Sequence, residues 1–178
     1  MGAARAEGLR EVPYLSGGVA GNREHGGVPA LTSCDTNILL YYLNKRCPEH
    51  CAAKAYLESV FASEEFAICE LVLVELYVLL RTPAVLKRPL DAAAAVDVVQ
   101  RFRSNPAWAV IESPPGGVMN AVWREASDPE FPRRAIFDAR LAHTLKRHGV
   151  TEFVTRNVDH FRRFGFARLI NPIDDPGQ

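Results

Sequence analysis

Three acidic side chains stand in apolar stretches of this chain. Asp35 lies between the lead-in and tail of "LTSCDTNILLYYLN" (31–44), Glu75 lies inside "LVLVELYVLL" (71–80), and Asp138 inside "AIFDARLA" (135–142). A carboxylate that loses water without a partner is strongly disfavoured, so such residues are ion-paired, bound to a cation, or not buried after all. Pairing has candidates here: Arg134 lies one turn before Asp138, Arg140 two residues after it, and Arg81 follows the segment holding Glu75. Gathered at one point, the three acids would instead repel one another and take up protons unless a cation offset their charge. An all-oxygen donor set suits Mg²⁺ or Mn²⁺, which keep several waters and complete their shell with phosphate oxygens. Such an ion activates water and stabilises the charge that builds up in an in-line displacement at phosphorus.

Whether the three acids meet depends on the elements that carry them. "ALTSC" (30–34) reads as a strand and "DTNILLYYLN" (35–44) as the helix after it, with Asp35 or Thr36 suited to the N-cap. The next helix opens near Pro48, and its stripe Ala53, Tyr56, Leu57, Val60, Phe61 follows helical spacing. "EFAIC" (65–69) is a second strand leading into the apolar helix 70–80. Asp91 caps a helix over 91–105, "WAVIES" (108–113) is a third strand, and a helix follows near 118–126. The segment 133–149 is a helix closed by Gly149, "TEFVT" (151–155) is a strand, 157–163 a short helix and "ARLIN" (167–171) a last edge strand.

Strands separated by helices imply a parallel sheet with helices on both faces. In such a sheet each helix starts at the carboxyl ends of the strands. Asp35 closes the first strand, Glu75 sits in the second turn after strand two, and Asp138 in the early turns of its helix. "TRNVDHF" (155–161) leaves the fourth strand at the same edge. This is the edge where open α/β sheets bind ligands.

Composition sets the remaining bounds. The chain has 178 residues, 48% hydrophobic and 24% charged, which suits one globular domain. No apolar run approaches the roughly 18 residues that span a bilayer, and no apolar h-region follows the early arginines. Four cysteines in a chain this long make no disulfide framework, so a reducing cytoplasm is the expected location. Formal net charge is zero, yet residues 133–168 carry nine Lys/Arg against three acids. That basic segment can supply phosphate contacts, or it is simply a set of solvated helix faces. Residues 1–29 hold seven of the twelve glycines and read as a flexible leader, or as an upstream start with Val28 the alternative one. The domain is expected over 30–173, with a short tail over 174–178.

The ordered set "CDTNILLYYLN", "LVLVELYVLL", "FDARLAHTLKRHGV" and "FVTRNVDHF" resembles the PIN domain family, and within it the VapC-type ribonuclease toxins of bacterial toxin–antitoxin pairs. The resemblance covers about residues 29–173. It implies an α/β/α sandwich around a parallel sheet of four to five strands, and Mg²⁺- or Mn²⁺-dependent hydrolysis of RNA phosphodiesters. By position, Asp35, Glu75 and Asp138 match the family's acidic metal ligands, and Asn37 the polar residue of the first motif. The fourth position is open: Asn157 stands where many relatives have an Asp, and Asp159 follows two residues on. Thr155 and Arg156 are expected at the site or on a phosphate, with Arg133 and Arg134 on flanking phosphates. A homodimer and a small cognate antitoxin are the implied partners.

Other signals carry less. Haloacid-dehalogenase-like phosphatases also end their first strand in Asp but need a second Asp at position 37, where Asn37 stands. A PIN fold that binds RNA or protein without cutting is the stronger rival, and Asn157 its best support. "CPEHC" (47–51) is one short cluster, whereas zinc sites usually take four ligands. Cys34 and Cys69 read as buried thiols. His143 and His148 are expected on a helix surface, and His160, though near the site, is not given a role as general base.

Overall fold

Five short strands, the first four each followed by helix, build the centre of the protein in a computed structural model that describes Leu9, residues 30–112 and residues 117–175. The strands are β1 (Leu31–Cys34), β2 (Phe66–Cys69), β3 (Ala109–Ile111), β4 (Val150–Val154) and β5 (Arg168–Ile170). They pair in the order β3-β2-β1-β4-β5, every pair parallel. Ser33 stands opposite Ala67 on one side and Phe153 on the other, so β1 is central. The strand residues Phe66, Ala67, Ile68 and Cys69 are all buried, as expected where helices cover both faces of a parallel sheet.

The helices are α1 (Thr36–Leu43), α2 (His50–Val60), α3 (Glu70–Leu80), α4 (Ala92–Arg103), α5 (Gly117–Ala126), α6 (Ala135–Arg147) and α7 (Val158–Phe161), the last running into a 3₁₀ turn at Arg162–Phe164. From β1 the chain steps outward through β2 to β3, then returns to add β4 on the other side of β1. Parallel crossovers are right-handed, so this reversal sends the later helices to the opposite face. Accordingly α1 packs on α2 and α3, and α3 on α4, while α6 packs on α5 and α7. The result is the expected three-layer α/β/α sandwich, with a parallel sheet of five strands.

Capping residues mark several element ends. Asp91 accepts from Ala94 N at 2.8 Å to start α4. Gly149, at φ +80°, ends α6 while its N–H donates to Lys146 O at 3.1 Å. A Cβ there would meet nothing within 4 Å, so the demand for glycine is conformational rather than steric. Two helices begin later than their sequence suggests, at His50 rather than Pro48 and at Ala135 rather than Arg133. The third strand is shorter than 108–113 because Trp108 turns into the core. Its ring stacks on Phe61 at 5.4 Å and its Nε1 donates to Val60 O at 2.9 Å; residue 113 lies outside the described residues.

The leader expected over 1–29 also lies outside the described residues, apart from Leu9. That residue forms an antiparallel bridge with Asn44 and packs against the core. Of the tail expected over 174–178, residues 176–178 lie outside them, and Asp174 accepts from Asn171 Nδ2 at 2.9 Å.

Candidate active site

The connections diverge between β1 and β4, which lie side by side, and the crevice at the carboxyl ends of such a strand pair is where an open α/β sheet binds its ligand. Asp35 follows β1 and Thr155 follows β4. The two are bonded across that junction: Thr155 Oγ1 donates to Asp35 Oδ2 at 2.7 Å. Asn37 Nδ2 donates to the same oxygen at 2.8 Å and reaches Thr155 Oγ1 at 3.2 Å. Asp35 Oδ1 accepts from Thr36 N at 2.7 Å, which caps α1. The Arg156 N–H donates to Asn37 Oδ1 at 3.4 Å, and the Asn157 N–H to Thr155 Oγ1 at 3.0 Å. Both oxygens of Asp35 are thus held, by the first turn of α1 and by the residue that follows β4.

Glu75 enters from α3. Thr36 Oγ1 donates to Glu75 Oε2 at 2.6 Å, tying the start of α1 to the second turn of α3. Asp138 enters from α6, where His160 Nδ1 stands 3.5 Å from its Oδ2. The three acids share one electrostatic environment. Burial pushes Asp35 up from 3.8 to about 6; the hydrogen bond from Thr155 opposes the rise, the charge of Glu75 adds to it, and Asp138 adds a smaller push. Burial also raises Asp138, with His160 opposing and Glu75 reinforcing. Glu75 therefore disfavours the ionised form of both other acids, and Asp138 that of Asp35, as expected for neighbouring carboxylates.

The apolar surroundings hold differently for the three. Asp35 is buried and Asp138 half-buried, but Glu75 is exposed although its neighbours along the chain are apolar. The reason lies in α3, which is apolar on nearly all sides: Val74 and Val78 are 62% and 55% exposed. Apolar neighbours along that helix do not imply burial.

The remaining expected site residues divide. Asn37 and Thr155 belong to the network, and Asn157 joins it through its backbone. Asp159 does not: its side chain is 87% exposed and pairs with Arg162 at 2.9 Å. The Arg156 guanidinium is drawn to Glu49, donating to Oε1 at 2.5 Å, and lies over the Tyr41 ring. Its expected phosphate contact therefore competes with an existing ion pair. Arg133 and Arg134 are exposed, in the turn that leads into α6. A cleft of about 440 Å³ beside this edge is lined by Arg156, Asn157, Asp159, His160 and Arg162 among others.

Two further residues touch the acids, one of them, His160, already expected near the site. His160 stands at Asp138, where only the packing of α7 on α6 brings it. Thr36 read as an alternative cap yet holds Glu75. Other local signals resolve structurally. Cys47 Sγ donates to Asn44 O at 3.1 Å and His50 Nδ1 lies 3.1 Å from Tyr41 O, so "CPEHC" satisfies carbonyls at the end of α1. Cys34 and Cys69 are fully buried thiols. His143 is not a surface residue as expected: its Nε2 lies 2.8 Å from Glu125 Oε1 between α5 and α6.

Among the described residues no three His, Cys, Asp or Glu side chains converge closely enough to hold a metal ion between them. The donor set still fits Mg²⁺ or Mn²⁺. Mg²⁺ keeps most of its waters and takes one or two carboxylates directly, so a tight protein cage is not required. The mutual repulsion of Asp35, Glu75 and Asp138 is the charge such an ion would offset.

A PIN domain family model matches residues 33–167, and the chain belongs to the PIN domain family. Within it, Ribonuclease VapC24 of Mycobacterium tuberculosis, from strains H37Rv and CDC 1551, is 52% identical over 147 residues, covering 83% of this chain and all of that protein. Among solved structures, the Mycobacterium tuberculosis toxin VapC20, described as cleaving the sarcin–ricin loop, aligns at a TM-score of 0.54 and 17% identity over 68% of this chain and 86% of its own. VapBC2 from Rickettsia felis, bound to a promoter DNA fragment, aligns at 0.54 and 18% over 79% of this chain and 97% of its own. At such identities the solved structures speak for the fold.

Proposed function

We propose that this chain is a ribonuclease that hydrolyses RNA phosphodiesters with Mg²⁺ or Mn²⁺, and that it acts as the toxin of a toxin–antitoxin pair. One observation carries the reading: Asp35 is buried where β1 and β4 diverge, with the charges of Glu75 and Asp138 acting on it. Its 52% identity to Ribonuclease VapC24 supports the substrate class.

Asp35, Glu75 and Asp138 would hold the ion, which when bound supplies a Lewis acid for the phosphate and a lowered pKa for the attacking water. Thr155 and Asn37 fix both faces of Asp35 Oδ2, so this carboxylate needs no rearrangement before catalysis. Thr36 holds Glu75 towards the same edge. At the fourth position Asn157 is favoured over Asp159, because Asn157 is anchored to Thr155 while Asp159 pairs outward with Arg162. Arg133 and Arg134 bind flanking phosphates. Arg156 positions Asn37 through its backbone, and its guanidinium reaches a phosphate only by leaving Glu49.

The partners follow from the family. VapBC2 and the Klebsiella pneumoniae neighbour were solved as toxin–antitoxin assemblies, which supports a cognate antitoxin here. Val74 and Val78 leave an apolar strip on α3 that suits a homodimer contact. No helix among the described residues is long and apolar enough to cross a membrane, and all four cysteines are free thiols, in keeping with a cytoplasmic protein.

The test is made in cells. Wild type and Asp138→Asn are induced in a bacterial host and new RNA 5′ ends are mapped across the transcriptome. New ends confined to wild type are expected. Identical maps from two folded proteins would favour a PIN module that binds without cutting, the reading to which Asn157 in place of an acid lends its support.

A further inference from the structure

Phe137 is 74% exposed, although it is a large apolar side chain in the first turn of α6. It immediately precedes Asp138. Arg140 lies one turn after it on α6, and Arg133 and Arg134 lie in the exposed turn that leads into that helix. All three arginines are exposed, and among the described residues no carboxylate forms an ion pair with any of them. An exposed aromatic ring set among cations is what a single-stranded nucleic acid recognises: the ring takes a base face while the cations take phosphates.

We propose that Phe137 is a stacking platform for one unpaired base of the RNA, beside the bond that is cut. This deepens the ribonuclease reading and rests on it. It makes Phe137 a specificity-determining residue rather than a catalytic one, since the ring offers no group to the reacting atoms. It also commits the substrate to single strands or loops at this point, because a base within a duplex keeps both faces covered.

Charge argues against a second copy as the occupant. A two-fold contact would bring the arginines around Phe137 against the same arginines of the partner, and an interface of about 800 Å² per side needs more apolar surface than one ring. The apolar strip on α3 is better suited to that purpose.

The test measures binding of a short mixed-sequence single-stranded RNA carrying 2-aminopurine, in Ca²⁺ buffer, with the RNA checked for integrity by gel. Phe137→Ala should weaken binding on the order of tenfold and remove the stacking-induced quench of 2-aminopurine. Phe137→Trp should restore both, and thermal unfolding should not change for a side chain this exposed. Equal affinity for wild type and Phe137→Ala would overturn the inference and leave the ribonuclease reading intact. So would unchanged RNA affinity with an altered oligomeric state or loss of antitoxin binding, which would make Phe137 part of a protein interface. A wild-type protein that neither binds this RNA nor produces new 5′ ends in cells would overturn both.

Discussion

Neutralising Asp35 should reverse its effect on stability as pH changes. Its pKa is held up at about 6 in the fold against 3.8 for an ordinary Asp. The fold therefore binds this proton more tightly than the unfolded chain does, and stability falls as pH rises between those values. Below 3.8 the contribution is fully present; above about 6 it is gone. The interval from 3.8 to about 6, at about 1.36 kcal/mol per pH step, amounts to about 3 kcal/mol. Asp35→Asn removes that dependence but sets an amide N–H against a donor, whether Thr155 Oγ1 and Asn37 Nδ2 or the Thr36 N–H. A mispaired buried donor costs about 1–2 kcal/mol. The variant should then be less stable than wild type by about 1–2 kcal/mol near pH 4 and more stable by about the same near pH 8. Urea unfolding in EDTA across that range, followed by the fluorescence of buried Trp108, reads the difference. At pH 8, Mg²⁺ at a hundred times its Kd should return about 2.7 kcal/mol to wild type and little to the variant. A difference between the two proteins that does not vary with pH would refute the account of a buried, uncompensated carboxylate.

Three further perturbations probe the same architecture. Glu75→Gln removes a charge that raises Asp35, so the Asp35 midpoint followed by carboxyl NMR should fall below about 6. Thr155→Val takes away the donor to Asp35 and the acceptor for Asn37 and Asn157; it should cost about 1–3 kcal/mol and most RNA cleavage, with Thr155→Ser restoring both. Phe153 packs on Phe161 at 4.6 Å and on Phe166 at 5.2 Å, so Phe153→Ala should cost about 3–5 kcal/mol in denaturant unfolding. It should also speed amide exchange in α7, whose Phe161 anchor it removes.

Much of the architecture could be read before the chain was folded, because alternating apolar runs and helical stripes are local. Local chemistry places Asp35 at the end of β1, Asp91 at the start of α4 and Gly149 at the end of α6. The sheet-edge argument also holds for Asp35, Glu75 and Asp138, since parallel topology by itself sends strand ends and helix starts to one side. Local pattern runs out where a residue's partner comes from another element. Glu75 stands in an apolar stretch between Leu71 and Leu79, yet α3 leaves Val74 and Val78 uncovered and Glu75 exposed with them. Arg156 is expected at the site or on a phosphate; its N–H reaches Asn37, while Glu49, 107 positions away, holds its guanidinium.

By itself the sequence determined the order of elements, the kinds of side chain available and the family to which they belong. It placed three acids at one edge of a parallel sheet through periodicity and connectivity alone. Only the tertiary structure decided how those acids are held: Thr155 on Asp35 across 120 positions, Thr36 on Glu75 across 39, and His160 at Asp138 from a neighbouring helix. Local periodicity is set by contacts a few residues apart. The environment of a carboxylate is set by whatever the fold packs against it, and that pairing carries no signal in sequence spacing.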